Sequence, residues 1–232
     1  MEDLDKWLGM NKDNKDPEVK FSRLILGAGK IDSSDLQDPN YDFSVFVDRI
    51  YSGGSSNSVE EIEKAYIQLL EKGTEYSLFC GQDIFNFLDT YKFKFDMVFA
   101  DRVAEHMFFD SGQIGRFLDA CNQITYPDGN LCLIVPDLDK IIEKYIKIKE
   151  VTYSSPTELN SLVLLLNTEM QNTVTDCHGS CWSRSLAKYY IENEGGTWII
   201  DSIENLPMFK GRDIYMRIIC SKPKLEPEKI KD

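Results

Sequence analysis

A Gly-x-Gly turn and a later aspartate are the residues of this chain whose types and spacing fit ligand chemistry most clearly. The apolar run Leu24–Leu26 breaks into Gly27, Ala28 and Gly29, and Asp48 stands nineteen residues after Gly29 at the end of a second apolar run. Glycine lets a backbone approach a nucleotide-like ligand, and an acid about 20 residues on accepts hydrogen bonds from ribose hydroxyls. The spacing predicts a ligand across the first two strands of a doubly wound sheet, with an ordinary strand-turn-strand as the alternative.

The six cysteines are scattered and form no Cys-x-x-Cys pair, the spacing that marks zinc and redox sites. His178 lies near two of them, but three residues without a fourth ligand make a poor zinc site. The sequence therefore predicts reduced thiols in the core and no metal. The cysteines are Cys80, Cys121, Cys132, Cys177, Cys181 and Cys220.

Length and composition fit one sizeable α/β domain. The chain has 232 residues, of which 42% are hydrophobic, and a formal net charge of −13. That charge repels a phosphate polyanion, so nucleic acid is an unfavourable partner. No apolar run approaches the ~20 residues that span a bilayer, and the acidic start Met1-Glu2-Asp3 is unlike a secretory signal. We therefore expect a cytoplasmic protein with no membrane partner.

The elements that would position the candidate site alternate as in a β-α-β fold. Ser58-x-x-Glu61 predicts a capping box for a helix that buries Val59, Ile62, Tyr66, Leu69 and Leu70 and ends at Gly73, and Tyr126–Gly129 reads as a turn. The predicted strands are 19–26, 43–47, 76–80, 95–100, 131–135, 198–203 and 214–220, and the other predicted helices are 113–124, 137–148, 162–166 and 185–194. A polar arm, residues 1–18, precedes the predicted domain 19–223, and a charged tail, 224–232, follows it.

At this point the chain resembles the class I S-adenosylmethionine-dependent methyltransferase superfamily, and within it the small predicted methyltransferases. The resemblance runs from about Val19 to Pro223. It implies a Rossmann-like α/β fold, doubly wound, with a mostly parallel seven-stranded sheet and helices on both faces, and it implies S-adenosylmethionine as the cofactor of a methyl transfer. The motifs that carry it are, in order, LILGAGK, VFVD, GQDIFNF, FDMVFADRVAEHM, YPDGNLCLIVPD, HGSCWSRSLAKYYIENEG and RDIYMRIICSKP.

The resemblance also assigns cofactor contacts. It implies that Asp48 holds the ribose and that Asp83 binds the adenine amino group, with Gln82 as a competing contact. A carboxylate suits a vicinal diol because it accepts two hydrogen bonds at once. The alternatives are a turn or cap role for Asp48 and a helix N-cap role for Asp83. The turn implied to face the methionine part is Gly27, Ala28 and Gly29, and the floor beside the sulfonium runs from Ala100 to His106.

Catalysis by direct displacement needs mainly alignment, and a base only if the nucleophile starts protonated. His106 and Asp101, which begins the same stretch, are the candidate catalytic residues, with His106 as the proton acceptor and packing of a helix start as the alternative for His106. Arg102 and Glu105 are candidate substrate contacts or an ordinary surface pair. His178 is a third candidate substrate contact.

The expected acceptor is a small molecule, a sugar or another molecule that bears a hydroxyl or amine. The chain has Asp101-Arg102-Val103-Ala104 where enzymes that methylate nucleic-acid bases at an amino group carry an Asp/Asn-Pro-Pro-Tyr type tetrapeptide. The glycine turn departs from the family, with Lys30 and Ile31 in place of a third glycine and Ile25 in place of an acid. A noncatalytic cofactor-binding or nucleoside-binding module that acts through a protein partner is therefore the alternative function.

Overall fold

The computed structural model describes residues 21–27, 41–49, 56–108, 111–150, 180–194, 198–206 and 214–223. The polar arm, the predicted helix 162–166, the charged tail and the site candidates Ala28, Gly29 and His178 lie outside these residues. The strands are β1 Ser22–Leu26, β2 Phe43–Val47, β3 Tyr76–Cys80, β4 Phe95–Asp101, β5 Thr125–Pro136, β6 Ile199–Leu206 and β7 Tyr215–Ser221. The helices are α1 Val59–Lys72, α2 Ile84–Thr90, α3 Gln113–Gln123, α4 Leu138–Glu150 and α5 Arg184–Tyr189, with a short 3-10 turn at Ala104–His106 and a π turn at Tyr190–Glu194.

The seven strands form one sheet in the order β3-β2-β1-β4-β5-β7-β6. β1 pairs in parallel with β2 and β4, and β2 pairs in parallel with β3, whereas β7 is antiparallel to both β5 and β6. The predicted α/β class and mostly parallel seven-stranded sheet are therefore confirmed. By their contacts the residues divide into two compact units, one with the residues up to Asp101 and Ile124–Tyr126, the other with Arg102–Gln123 and the residues from Pro127 onward.

In the first unit, α1 follows its local sequence signals closely. The Ser58 side chain accepts from the Glu61 amide, the Glu61 carboxylate accepts from the Ser58 amide at 2.8 Å, and Gly73 ends the helix with φ of 70°. This confirms the predicted capping box and stop. The buried face consists of Ile62, Ala65, Tyr66 and Leu69. Leu70 is 59% exposed, so its predicted burial is wrong, and Ala65 takes the inward position at helical spacing.

The start of β5 corrects a second expectation. Tyr126–Gly129 is extended and belongs to β5, not to a turn before it. The Tyr126 hydroxyl lies 2.7 Å from the Tyr66 hydroxyl on α1, a contact between residues far apart in sequence that local turn propensity does not anticipate. Pro127 and Asp128 are exposed, and proline is tolerated where a strand does not need its amide for the ladder.

The core of the second unit is built from aromatic and aliphatic side chains of α3, β5, α5 and β7. Trp182 and Trp198 are buried, as the sequence predicts, and the Trp198 indole nitrogen donates to the Leu118 carbonyl at 3.1 Å. Cys121, Cys132 and Cys220 are buried thiols. None of the helices in the described ranges has the length and apolar character needed to cross a bilayer.

Candidate functional site

The carboxyl ends of four parallel strands in the first unit are in register. Leu26 of β1 lies beside Val47 of β2 and Ala100 of β4, and Val47 lies beside Cys80 of β3. Open parallel sheets bind ligands at this edge because the loops that leave the strands converge there. The register therefore brings together the residues that the sequence assigns to the cofactor. These are Gly27, Asp48, Gln82, Asp83 and Ala100, with Asp101 ending β4.

Gly27 begins the turn after β1 in a conformation that favours glycine. Its φ is 71°, in the left-handed region where a Cβ is strained. Its amide donates to the Val47 carbonyl at 3.0 Å, which fixes the turn against the end of β2. A glycine here thus meets a backbone requirement of the turn.

Asp48 directly follows β2, where its backbone is tied to β3. The Asp48 amide donates to the Cys80 carbonyl at 3.2 Å, and Asp48 is half-buried. Burial raises the pKa of the Cys80 thiol to about 11, so Cys80 is protonated near neutral pH and is no thiolate nucleophile. Of these two neighbouring residues, Asp48 is therefore the one that can act as an acidic group.

The turn after β3 holds Asp83 in two interactions. Its Oδ1 accepts from the amides of Phe85 and Asn86 at 3.0 and 3.4 Å, which makes Asp83 the N-cap of α2. Its Oδ2 accepts from the Arg49 guanidinium at 2.9 Å. Beside it, Gln82 has a buried side-chain nitrogen with no hydrogen-bond partner in the described part of the chain. The capping alternative for Asp83 is thus present, and its predicted adenine contact stays a prediction.

In the second unit, the chain after β4 turns sharply. Arg102 has φ of 56°, and within the described residues it is the one non-glycine residue with positive φ. Its amide donates to the Ile134 carbonyl of β5 at 2.9 Å. A side chain at such a φ is strained by about 1–2 kcal/mol. Arg102 therefore occupies a costly conformation immediately past the end of β4.

The 3-10 turn that follows is held by a strap of residues 180–182. The Ser180 amide donates to the Glu105 carbonyl at 3.1 Å, and the Ser180 hydroxyl donates to the Ala104 carbonyl at 3.2 Å. The Trp182 indole nitrogen donates to the Ser180 hydroxyl at 3.0 Å. The backbone carbonyl of Trp182 accepts from the Leu138 amide at 2.8 Å. The strap therefore joins the turn to the start of α4.

Among the acceptor candidates that the structure describes, Glu105 is the most buried, with 2% of its surface exposed. It lines a cavity of about 10 Å³ with Ser180, Trp182 and side chains from the start of α4, space for about one water molecule. His106 is half-buried, and its amide donates to the Val103 carbonyl at 3.0 Å. The predicted roles of Glu105, His106 and Arg102 toward an acceptor stay predictions. No metal-binding group of three His, Cys, Asp or Glu side chains occurs within the described ranges.

Two sets of residues were missed by the sequence reasoning. Arg49 pairs with Asp83 across 34 positions, and its only signal was its place directly after Asp48. Ser180 holds the turn at Ala104–His106 from 76 positions away, and no local pattern marks it.

Two solved methyltransferase structures are similar to this chain over most of its length. An S-adenosylmethionine-dependent methyltransferase from Clostridium acetobutylicum matches with a TM-score of 0.50 at 12% identity, over 88% of this chain and 85% of that one. The magnesium protoporphyrin IX methyltransferase ChlM of Synechocystis, solved with bound SAH, matches with a TM-score of 0.51 at 11% identity, over 95% and 80%. The chain has the class I methyltransferase fold. The resemblance drawn from the motifs is thereby confirmed at the level of this fold.

Other structures with the class I fold are much longer than this chain. The mitomycin 7-O-methyltransferase MmcR matches with a TM-score of 0.51 at 14% identity, and the match covers 90% of this chain. It covers only 51% of MmcR, so the chain spans about half of that protein's length. No protein family and no curated protein matches the chain by sequence.

Proposed function

We propose that this chain is an S-adenosylmethionine-dependent methyltransferase that acts on a small-molecule, sugar or other hydroxyl- or amine-bearing acceptor. The observation that carries the proposal is the register of the strand ends, which gathers Gly27, Asp48 and Gln82 at the carboxyl edge of the sheet. The structural neighbours support it, since ChlM is described with bound SAH and MmcR as an O-methyltransferase on a small molecule.

The residues present fit such a cofactor. The Asp48 carboxylate would accept from the ribose hydroxyls, and Gly27, whose positive φ favours glycine, adds no side chain to the turn. The buried Gln82 nitrogen without a partner among the described residues supplies a donor that folding has not used. The cofactor would supply a methyl group on a positively charged sulfur, ready for displacement by a nucleophile.

On the acceptor side, the proposal gives His106 the role of general base, with Asp101 beside the reacting group. Because a direct displacement depends mainly on alignment, His106 is needed only for an acceptor that arrives protonated. Arg102, held in its strained conformation, and His178 are the proposed acceptor contacts. Glu105, which is buried, is the remaining proposed acceptor contact.

The test is calorimetric binding of S-adenosylmethionine and S-adenosylhomocysteine to the wild-type chain and to Asp48→Asn. Loss of the charge-assisted bonds to the ribose should weaken both ligands by roughly 10–30-fold with little change in melting temperature. Asp119→Asn, on the exposed face of α3, is the matched control and should leave affinity unchanged. Failure of the wild type to bind either ligand would refute the cofactor assignment.

The same preparation separates the enzyme from the noncatalytic module. Turnover on any member of a broad panel of hydroxyl and amine acceptors supports the methyltransferase. Cofactor binding without turnover on the whole panel would favour a binding module that acts through a protein partner. The departures at Ile25 and in the glycine turn are what make that second outcome worth testing.

A further inference from the structure

The turn after β3 offers two side chains for a nucleobase, and folding has already used one of them. Both oxygens of Asp83 are engaged, Oδ1 by the amides of Phe85 and Asn86 and Oδ2 by Arg49. These interactions hold the first turn of α2 and join the turn after β3 to the end of β2. A carboxylate so occupied has less capacity for a ligand, and drawing it away would disturb the helix start.

The side-chain nitrogen of Gln82, unlike the oxygens of Asp83, is not engaged by any described residue. This Nε2 atom is buried and has no hydrogen-bond partner within the described residues. A buried donor left without a partner costs about 1–3 kcal/mol, and such a cost needs a reason. Gln82 lies two residues past Cys80, whose strand is in register with β2 and so with Asp48. Its position therefore matches the nucleoside end of the proposed site.

We propose that the side-chain amide of Gln82, and not the carboxylate of Asp83, contacts the adenine of the cofactor. This rests on the proposed function and names the residue that recognises the base. A carboxamide presents a donor and an acceptor side by side, which complements the amino group and adjacent ring nitrogen of adenine in the way that Gln pairs with adenine in nucleic-acid complexes. Asp83 and Arg49 then serve as a scaffold that positions the turn.

Two variants separate these roles, with S-adenosylhomocysteine as the calorimetric probe. Gln82→Leu removes the amide and should weaken binding by roughly tenfold or more, while the melting temperature of the ligand-free protein stays the same or rises, because an unsatisfied donor is lost. Asp83→Ser keeps an N-capping hydroxyl but loses the pair with Arg49. It should bind within about threefold of wild type.

A modified ligand combined with the Gln82 variant forms a double-mutant cycle. The 6-deamino analogue of S-adenosylhomocysteine lacks the adenine amino group and should bind more weakly than the parent to wild type. Gln82→Leu should bind the two ligands about equally, because the interaction that discriminates between them is absent. If Gln82→Leu lowers the melting temperature, Gln82→Ala removes the same amide without a branched side chain and decides the same comparison.

The opposite pattern overturns the inference. A Gln82 variant that binds within about threefold of wild type, or an Asp83→Ser variant that loses more affinity than Gln82→Leu, would return the base contact to Asp83. Wild type that binds no S-adenosylhomocysteine contradicts the proposed function, and the inference falls with it. Wild-type binding combined with an unaffected Gln82 variant contradicts only the inference.

Discussion

The two ends of the parallel strands in the first unit both carry polar side chains, and they use them differently. At the amino end the Asp42 carboxylate accepts from the Phe21 amide at 2.8 Å, and the Asp96 carboxylate accepts from the Ser22 amide and hydroxyl at 2.7 and 2.8 Å. At the carboxyl end a buried nitrogen of Gln82 has no partner in the described residues. Side chains at the first end bond to the protein's own backbone, whereas the second end also carries a donor that the described residues leave unused and that we propose contacts a ligand.

That contrast has a cost in stability. A carboxylate paired with backbone amides stabilises the fold, because it satisfies donors that would otherwise be buried alone. An unused donor and a left-handed turn destabilise it. Natural proteins keep such features where function depends on them, so the amino end should tolerate mutation poorly in stability and the carboxyl end poorly in binding.

The largest expected effect is a loss of stability when a carboxylate at the amino end of the strands is removed. Asp96→Ala leaves the Ser22 amide and hydroxyl without their acceptor and should lower the free energy of unfolding by about 2 kcal/mol, measured by urea denaturation. Affinity for S-adenosylhomocysteine should be unchanged under conditions where the variant is folded. Asp96→Asn retains one acceptor oxygen and should lose less stability. A fall in affinity as large as that of Asp48→Asn would mean that the two ends are not separate in function.

Substitution of either of two glycines should have an intermediate effect and sharpens the comparison between stability and binding. Gly27→Ala and Gly73→Ala each place a Cβ on a residue with φ near 70° and should each cost about 1 kcal/mol of stability. Only Gly27 lies at the strand-end site, whereas Gly73 ends α1. Calorimetry should therefore show weaker S-adenosylmethionine binding for Gly27→Ala alone, and equal losses of affinity in both variants would indicate a general effect of destabilisation.

The smallest expected effect is a gain. Arg102→Gly relieves the strain of φ 56° but adds freedom to the unfolded chain, so the net stabilisation should be about 0.5–1 kcal/mol. Arg102→Ala keeps the strained backbone and should give no such gain in thermal unfolding. If the two variants unfold at the same temperature, the conformation of Arg102 carries no cost in stability.

How far the sequence predicts this protein depends on how local each feature is. Both ends of α1 could be read, since Ser58, Glu61 and Gly73 act within one helix. The carboxyl ends of β1, β2 and β3 could be read from apolar runs and the residues that follow them. The start of β5 could not, because Tyr126 is held by a hydroxyl 60 positions away.

The candidate site divides in the same way. Asp48 and the glycine turn were assigned to the cofactor from their spacing, which stays a prediction, and Asp83 was expected to be either a cap or a ligand. The second carboxylate oxygen of Asp83 is paired with Arg49, whose side chain meets Asp83 only once β2 and β3 lie side by side. Non-local pairing of this kind leaves no periodic signal in the sequence.

The outer borders of the sheet carry a further consequence. Along β3, the Asn57 amide donates to the Phe79 carbonyl at 2.7 Å, and the Ser56 hydroxyl accepts from the Gly81 amide at 2.8 Å. Along β6, Arg184 donates to the Ile203 carbonyl at 2.7 Å. Open strand borders invite pairing with other chains and aggregation. Here some backbone groups along these borders are already bonded within the chain, by the backbone amide of Asn57 and the side chains of Ser56 and Arg184, which leaves fewer groups for a neighbouring chain to pair with.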